Sequence, residues 1–328
     1  MITENLYNSI LLQPSERHNE LLIVSGYATA AMSFHHLNQL RELSRMTRIH
    51  LIVGMSKRDG IDLVNHNTFI QLMNEDFKDS FFCSYVHIDK PVHSKLYLWC
   101  TDKKPESAFI GSANYTQTAF YEIHKEILAA CDPQNAHDYF NEIEANTIFC
   151  NAHDIENHIP IYKAKKSMIF RGEASSANQE LIDEDVVKGL PHVSVDLTDR
   201  SGQVQNSAGL NWGHRSTPGY NRNPNEAYIQ LRPEVYRSDF FPKRGKHFTV
   251  QTDDNKHFIC TRAQKTEEGT AIETPHNNSL LGEYFRNRLG LANGEFVTVN
   301  HLKQYGRTTV DFYKVDEETY LMDFSKPE

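Results

Sequence analysis

Two periodicities alternate through the first 150 residues. The apolar run in ELLIVSGYAT (20–29) predicts a strand that ends in a small, polar turn. MSFHHLNQLRELSRM (32–46) repeats Phe34, Leu37, Leu40 and Leu43 at helical spacing, so one face of a helix is apolar. RIHLIVGM (48–55) predicts a second strand and GIDLVNHNTFIQLMN (60–74) a second helix. SFFCSYVHI (80–88), HSKLYLW (93–99), SAFIGS (107–112) and EILAAC (126–131) predict four more strands, and NAHDYFNEIEANTIF (135–149) a helix. Strands alternating with helices, then strands in succession, imply an α/β domain: a mixed sheet with helices on both faces.

The pattern then changes. From 151 to 225 apolar runs shorten and polar stretches such as RGEASSANQE and TDRSGQVQNSAG appear, with a helix expected at 178–188 and a strand at 191–197. From 226 the pattern is strand-rich: EAYIQL, HFTVQT, KHFICTR, GTAIET, EFVTVN, RTTVDFYKV and TYLMDF, interrupted by the helix SLLGEYFRNRL (279–289). Short strands separated by turn residues predict a mainly β barrel or sandwich. The expected organisation is a first domain over 1–155, a connector over 156–208 and a β domain over 209–328.

Composition adds limits. A chain of 328 residues accommodates two domains. The N-terminal apolar patch is too short and wrongly flanked for a signal peptide or a membrane span. Five scattered cysteines without a CxxC pair fit a reducing, cytoplasmic setting and no structural zinc. The net charge of −9 argues mildly against a nucleic-acid partner. Acidic and basic residues balance from 210 onward, however, so the acidity lies upstream.

Chemistry enters at VHSKLYLW (92–99). His93 and Lys95 are two apart on a predicted strand and share a face, with Leu96 and Leu98 expected on the core side. Alone, such a pair is the polar face of an edge strand. FIGSANYT (109–116) follows, with Ser112 and Asn114 at the same two-residue offset, and Glu126 opens the next strand. Lys95 and the donors of Ser112 and Asn114 suit a phosphoryl oxygen, His93 suits attack on phosphorus, and Glu126 can orient the imidazole. No carboxylate cluster accompanies them, so no metal site is implied. His35, His36, His50, His66 and His124 have no partner at metal-ligand spacing and are expected to be structural.

H-x-K followed by G-S-x-N and a strand-opening Glu resembles the phospholipase D superfamily. One position departs: the usual motif has an Asp five residues after the Lys, where this chain has Cys100, with Asp102 nearby but out of register. That Asp is mainly a supporting residue in the superfamily. The resemblance implies a covalent phosphohistidine and two copies of the motif, of which this chain has one. The single-copy branch builds its site across a two-fold dimer, so a homodimer contributing His93 from each chain is expected.

The second half, with GLNWGHR (209–215), NEAYIQL (225–231), TPHNNSLLGEYFRNRLGL (274–291) and QYGRTTVDFYKV (304–315), resembles the C-terminal domain of the NgoFVII-type restriction endonucleases. That resemblance implies a DNA-binding pseudobarrel like that of plant transcription factors. The loop NWGHRSTPGYNRN (211–223) offers Trp212, His214, Arg215, Tyr220, Asn221 and Arg222 as DNA contacts, against the plainer reading of a solvated linker. Asn277 and Asn278 form a second candidate arm or an ordinary helix cap. Arg307 suits a phosphate or a neighbouring carboxylate, and of Arg286 and Arg288, two apart on a helix, at most one need face DNA.

These features together imply a sequence-specific, metal-independent double-stranded DNA endonuclease of a restriction system. The family resemblance adds a helicase-like partner subunit, and a restriction system a cognate DNA methyltransferase. No GxxxxGK[ST] loop occurs in this chain, so use of ATP and Mg²⁺ is expected only in a partner. The competing readings are a lipid or headgroup phosphodiesterase and a DNA-binding protein whose nuclease half is silent.

Overall fold

A computed structural model of the chain describes residues 1–121, 123–162, 187, 189–216, 218–263 and 267–326. It divides into two compact units, Met1–Ala177 and Asn178–Glu328. Apart from Val187, the helix expected at 178–188 and the basic run KAKK (163–166) lie outside the described residues. Among the described residues no helix is long and apolar enough to cross a membrane.

The first unit is built on the strands β1 (Glu20–Ser25), β2 (Arg48–Val53), β3 (Ile61–Asp62), β4 (Phe81–Val86), β5 (Lys95–Thr101), β6 (Lys104–Gly111), β7 (Leu128–Cys131), β8 (Thr147–Phe149) and β9 (Ile161–Tyr162). Seven of them form one sheet in the order β7-β6-β5-β1-β2-β4-β8, and β3 pairs with β9 apart from it. β1, β2 and β4 run parallel in the centre, and the outer pairings are antiparallel. Such a mixed sheet follows from the sequence order: helices Ala30–Glu42 and Leu63–Gln71 supply the crossovers that parallel strands need, and short turns join the rest. Asp102 and Lys103 adopt positive φ of 49° and 69° in the tight β5–β6 turn.

β5 lies deep in this sheet. Leu96, Leu98 and Cys100 enter an apolar cluster with Ala136, Phe140 and Ile143 of the helix Pro133–Glu144. Tyr97 and Trp99 on the opposite face are equally buried; their polar ends donate to Ala113 O and Ile10 O, each at 2.8 Å. The expected division into a core face and a chemical face therefore does not hold along the strand. Lys95 shares a buried face and reaches the surface region only because it is the first residue of β5.

The second unit has β10 (His192–Asp196), β11 (Ile229–Gln230), β12 (His247–Thr252), β13 (His257–Ala263), β14 (Ala271–Glu273), β15 (Thr309–Lys314) and β16 (Thr319–Asp323). They form one sheet in the order β10-β15-β16-β12-β13-β14-β11, and its edge strands approach each other, so the sheet nearly closes. Phe241, Phe248, Phe312 and Tyr320 pack together inside it, and helix Ser279–Leu289 adds Leu281, Tyr284 and Phe285. This is the expected mainly β, barrel-like architecture.

Two expectations are corrected here. The connector over 156–208 is not all connector: β9 pairs with β3 in the first unit, while β10 pairs with β15, and Leu197 and Val204 join the second core. EFVTVN is not a strand. Thr298 caps a helix, Val299–Tyr305, through a reciprocal pair with His301. The backbone N–H and C=O of Val297 bond the side chain of buried Asn211 at 2.9 and 2.7 Å, so a side-chain amide does what a neighbouring strand would.

Candidate functional site

Register brings the chemistry to one edge of the first sheet. Ser25, the last residue of β1, pairs with Lys95, the first of β5, and Leu96 pairs with Ile110 near the end of β6. Leu128 opens β7 opposite Gly111. The entry to β5, the exit of β6 and the approach to β7 therefore meet beyond the carboxyl ends of the central parallel strands. Open α/β sheets place ligand sites at such an edge. His93 precedes β5 rather than lying in it, and Glu126 lies two residues before β7.

His93 is exposed and Lys95 only 7% exposed. Lys95 Nζ donates to His93 O at 2.7 Å and lies 3.1 Å from His93 Nε2. An ammonium has no lone pair, so Nε2 must accept, and the imidazole is neutral with its proton on Nδ1. Electrostatics agree. Burial, then the charges of Lys95 and Arg58, push His93 below the ordinary 6.5, with Asp59 opposing. Burial also lowers Lys95 from 10.5, with Glu126 opposing.

Ser112 and Asn114 sit just past β6. Ser112 Oγ donates to Glu126 Oε2 and accepts from Ile127 N at 3.0 Å. In this chain the hydrogen bond of Glu126 thus goes to Ser112, whereas the sequence pointed it at His93. Asn114 Oδ1 accepts from Tyr27 N at 3.2 Å. Its carbonyl is committed to the loop after β1, which leaves Nδ2 as the donor to offer a ligand.

That loop carried no marked role in the sequence. Ser25 Oγ donates to Tyr27 O at 2.6 Å and accepts from Tyr115 N at 2.9 Å. A Cβ on Gly26 would lie 2.7 Å from His93 Cδ2, and one on Gly54 only 2.0 Å from Val92 O. Both positions need glycine for close approach rather than for an unusual φ. A glycine just past each of two adjacent apolar runs was the available signal.

Cys100 lies at the other end of β5 from Lys95, fully buried, its thiol pushed up to about 12 by burial first and by Glu20 and Glu106 second. Asp102 exchanges two bonds with Asn19, at 2.9 and 3.1 Å, and serves the turn. The structural reading of the other histidines fits His36, which is fully buried between Tyr115 OH and Leu11 O and held neutral down to about 4. His66 is likewise held to about 4 beside Tyr85 OH. Among the described residues no group of three or more His, Cys, Asp or Glu could hold a metal ion.

In the second unit the candidate DNA residues separate. The guanidinium of Arg222 stacks 4.3 Å over Trp212 and 4.9 Å over Tyr220, and it donates to Glu226 at 2.7 Å. Trp212 also packs on Tyr228, and His214 on Phe296. Arg307 is engaged by Asp311, Asp323 and Ser325 O. Fully buried Arg286 bonds the carbonyls of Glu295, Gly282, Leu210 and Pro224. Arg288 pairs with Asp253 at 2.6 Å. In this conformation each of these arginines is held by partners within the unit. His214, Arg215, Tyr220 and Asn221 remain exposed. In the second candidate arm Asn278 O accepts from Ala227 N at 3.0 Å, and Asn277 Oδ1 accepts from Ser279 N at 3.0 Å. A separate groove of about 610 Å³, which the sequence did not mark, is lined by Arg200, Ser201, Gln205, Gln230, Arg232 and Tyr236 among others.

No curated relative matches the chain. Among solved structures, NucT from Helicobacter pylori is similar at 15% identity and a TM-score of 0.31, covering 44% of this chain and 91% of its own. Polyphosphate kinase from Porphyromonas gingivalis is similar at 14% identity and a TM-score of 0.33, covering 47% of this chain and 25% of its own. Residues 4–157 match the family described as NgoFVII restriction endonuclease N-terminal PLD domain. Residues 185–316 match the NgoFVII C-terminal B3-like DNA-binding domain. With both matches in order along the chain, it belongs to the NgoFVII restriction endonuclease family, with a phospholipase-D-type nuclease domain followed by a B3-like DNA-binding domain.

Proposed function

We propose that this chain is a sequence-specific, metal-independent double-stranded DNA endonuclease of a restriction system. The observation that carries the reading is the meeting of His93, Lys95, Ser112, Asn114 and Glu126 at one sheet edge, in a chain that also has a B3-like domain. In the resting site Lys95 masks the Nε2 lone pair of His93. A scissile phosphate draws the ammonium, and the Nδ2 of Asn114, onto its own oxygens. Nε2 is then free to attack. The Nε2–P bond forms, the P–O bond to the leaving oxygen breaks, and that oxygen takes a proton from a second imidazole, which enters the step as its imidazolium and leaves it neutral. Water next attacks phosphorus, the P–N bond breaks, and the second imidazole recovers a proton.

That second imidazole is the His93 of another copy, so the proposal includes a homodimer through the first unit. An apolar face supports it. Met1, Ile110, Ile127 and Tyr139 are 94%, 48%, 38% and 37% exposed, around a cavity of about 750 Å³ that Lys95 also lines. Contact with DNA belongs to the B3-like domain, through the exposed loop of Arg215 and Tyr220 or through the groove beside Arg200. A helicase-like, ATP-using subunit and a cognate methyltransferase complete the proposed system.

The silent-nuclease alternative loses force because Cys100, the one departure from the motif, is far along β5 from His93. A lipid phosphodiesterase leaves the B3-like domain without a role. The test is cleavage of plasmid DNA in EDTA by the wild type and His93→Ala, with and without a helicase partner. The wild type should cut, and His93→Ala should bind DNA normally without cutting. Strict dependence on Mg²⁺ in the absence of any nucleotide, or equal loss of binding and cutting in the variant, would overturn the proposal.

A further inference from the structure

One group outside the motif is built against the nucleophile. Tyr27 follows β1 and is held at three points. Its amide donates to Asn114 Oδ1, its carbonyl accepts from Ser25 Oγ, and its phenol donates to Asp59 Oδ2 at 2.6 Å. Asp59 is fixed in turn by Arg58, which donates to both carboxylate oxygens at 2.9 and 3.1 Å. The Tyr27 ring meets the His93 imidazole edge to face, with centroids 5.8 Å apart at 77°. Lys95 holds Nε2 of the same imidazole, and Gly26 admits it without a side chain in the way.

We propose that Tyr27, braced by Asp59, is a positioning residue for His93, holding the exposed imidazole in the rotamer that aims Nε2 at phosphorus. The physical case is simple. An exposed histidine on an irregular segment has several rotamers open to it, and the one adopted here brings Nε2 to Lys95 Nζ. A ring anchored by its phenol, on a backbone held at its amide and carbonyl, removes the others before substrate arrives, which is the kind of pre-organisation that catalysis rewards. Asn114 takes part twice, since the amide that offers Nδ2 to a phosphate holds Tyr27 with its oxygen. The scissile phosphate and the brace are thereby tied to one side chain.

Asp59 adds an electrostatic readout. The charged groups around His93 are Lys95 on its own segment, Arg58 and Asp59 from the turn after β2, and Glu126 beyond Lys95. Asp59 alone among those acting on His93 favours the imidazolium; Lys95 and Arg58 oppose it. Asp59→Asn keeps an acceptor for Tyr27 but removes the charge and leaves Arg58 unneutralised. Both changes push the His93 pKa down, so the acidic limb of the rate profile should move to lower pH.

The proposal rests on the phosphodiesterase reading of the site. Its test uses the full chain with Tyr27→Ala, Tyr27→Phe and Asp59→Asn, measured by single-turnover cleavage across pH and by ¹⁵N NMR of the His93 ring. Tyr27→Ala should slow cleavage about tenfold at unchanged DNA affinity, and should replace a single Nδ1–H tautomer by a mixture. Tyr27→Phe keeps the ring edge but loses the bond to Asp59, so its rate should fall between those of the wild type and Tyr27→Ala. A Tyr27→Ala rate within about twofold of wild type at every pH, or an unchanged tautomer, would overturn the proposal. So would a Tyr27→Phe variant as slow as Tyr27→Ala, or an unmoved acidic limb in Asp59→Asn. A wild type that does not cut, with His93 tautomer changes as expected, would count against the nuclease reading instead.

Discussion

Gly26→Ala tests whether the geometry at this sheet edge is the geometry of the reaction. The new Cβ would lie 2.7 Å from His93 Cδ2, where ordinary contacts begin near 3.4 Å, so the imidazole must retreat by about 0.7 Å. The next atoms met, Asn114 Oδ1 and His93 Cα, are already at 3.5 Å and need not move. Gly26 has no positive φ, so the backbone accepts alanine. The displacement therefore falls on one exposed side chain, and stability should change by less than about 0.5 kcal/mol. Catalysis should not be spared. A misplacement near 1 Å costs on the order of 10²-fold in rate, which corresponds to about 2.7 kcal/mol of barrier. The assay is single-turnover cleavage of plasmid DNA, with DNA affinity and thermal melting measured alongside. Wild-type melting and binding with a rate reduced some tens of times or more is the expected result. A rate within about twofold of wild type would show that His93 has freedom to spare and that the close approach of Gly26 does not matter.

Two other changes test other parts of the argument. Cys100→Asp restores the residue usual in the motif, but in this chain it places a carboxylate in an apolar cluster that already pushes a thiol from 9.0 to about 12. A change of that size amounts to about 4 kcal/mol against the anion. An Asp there has a raised folded pKa, so the penalty is absent below its unfolded pKa near 3.9, grows as pH rises and is full above the folded value. Urea denaturation at pH 5 and pH 8 should show the loss increasing with pH, whereas wild-type stability at pH 8 would mean that Cys100 is not the sealed site described. Asn211→Leu strips the N–H and C=O of buried Val297 of their partners. At about 1–3 kcal/mol for each orphaned group, the second unit should lose about 2–6 kcal/mol in chemical denaturation; a loss under about 0.5 kcal/mol would return 211 to the status of a loop position.

Much of the secondary structure was legible because it is local. The helix SLLGEYFRNRL and the strand HFTVQT have the bounds that their apolar spacing marks. EFVTVN was misread for a physical reason: its alternation is that of a strand, but a cap three residues from His301 and a distant asparagine side chain claim its backbone. The arginines divide in the same way. Arg222 and Arg307 each precede an acidic partner by four residues, Glu226 and Asp311, a spacing visible in the sequence. Arg286 gave no such warning, because its partners are main-chain carbonyls from three separate segments.

The sequence by itself determined the chemical inventory: an imidazole, an ammonium, a hydroxyl, an amide and a carboxylate at fixed spacings, and two domains of different periodicity. Tertiary structure alone decided that β5 is buried on both faces, so that Lys95 is useful only as the strand's first residue. It also decided that Ser25, Gly26, Tyr27 and Asp59 belong beside His93. Periodicity reports which way a side chain faces from its own strand. Which strand ends share an edge depends on order and register, and those are set by crossovers and pairings between residues tens of positions apart.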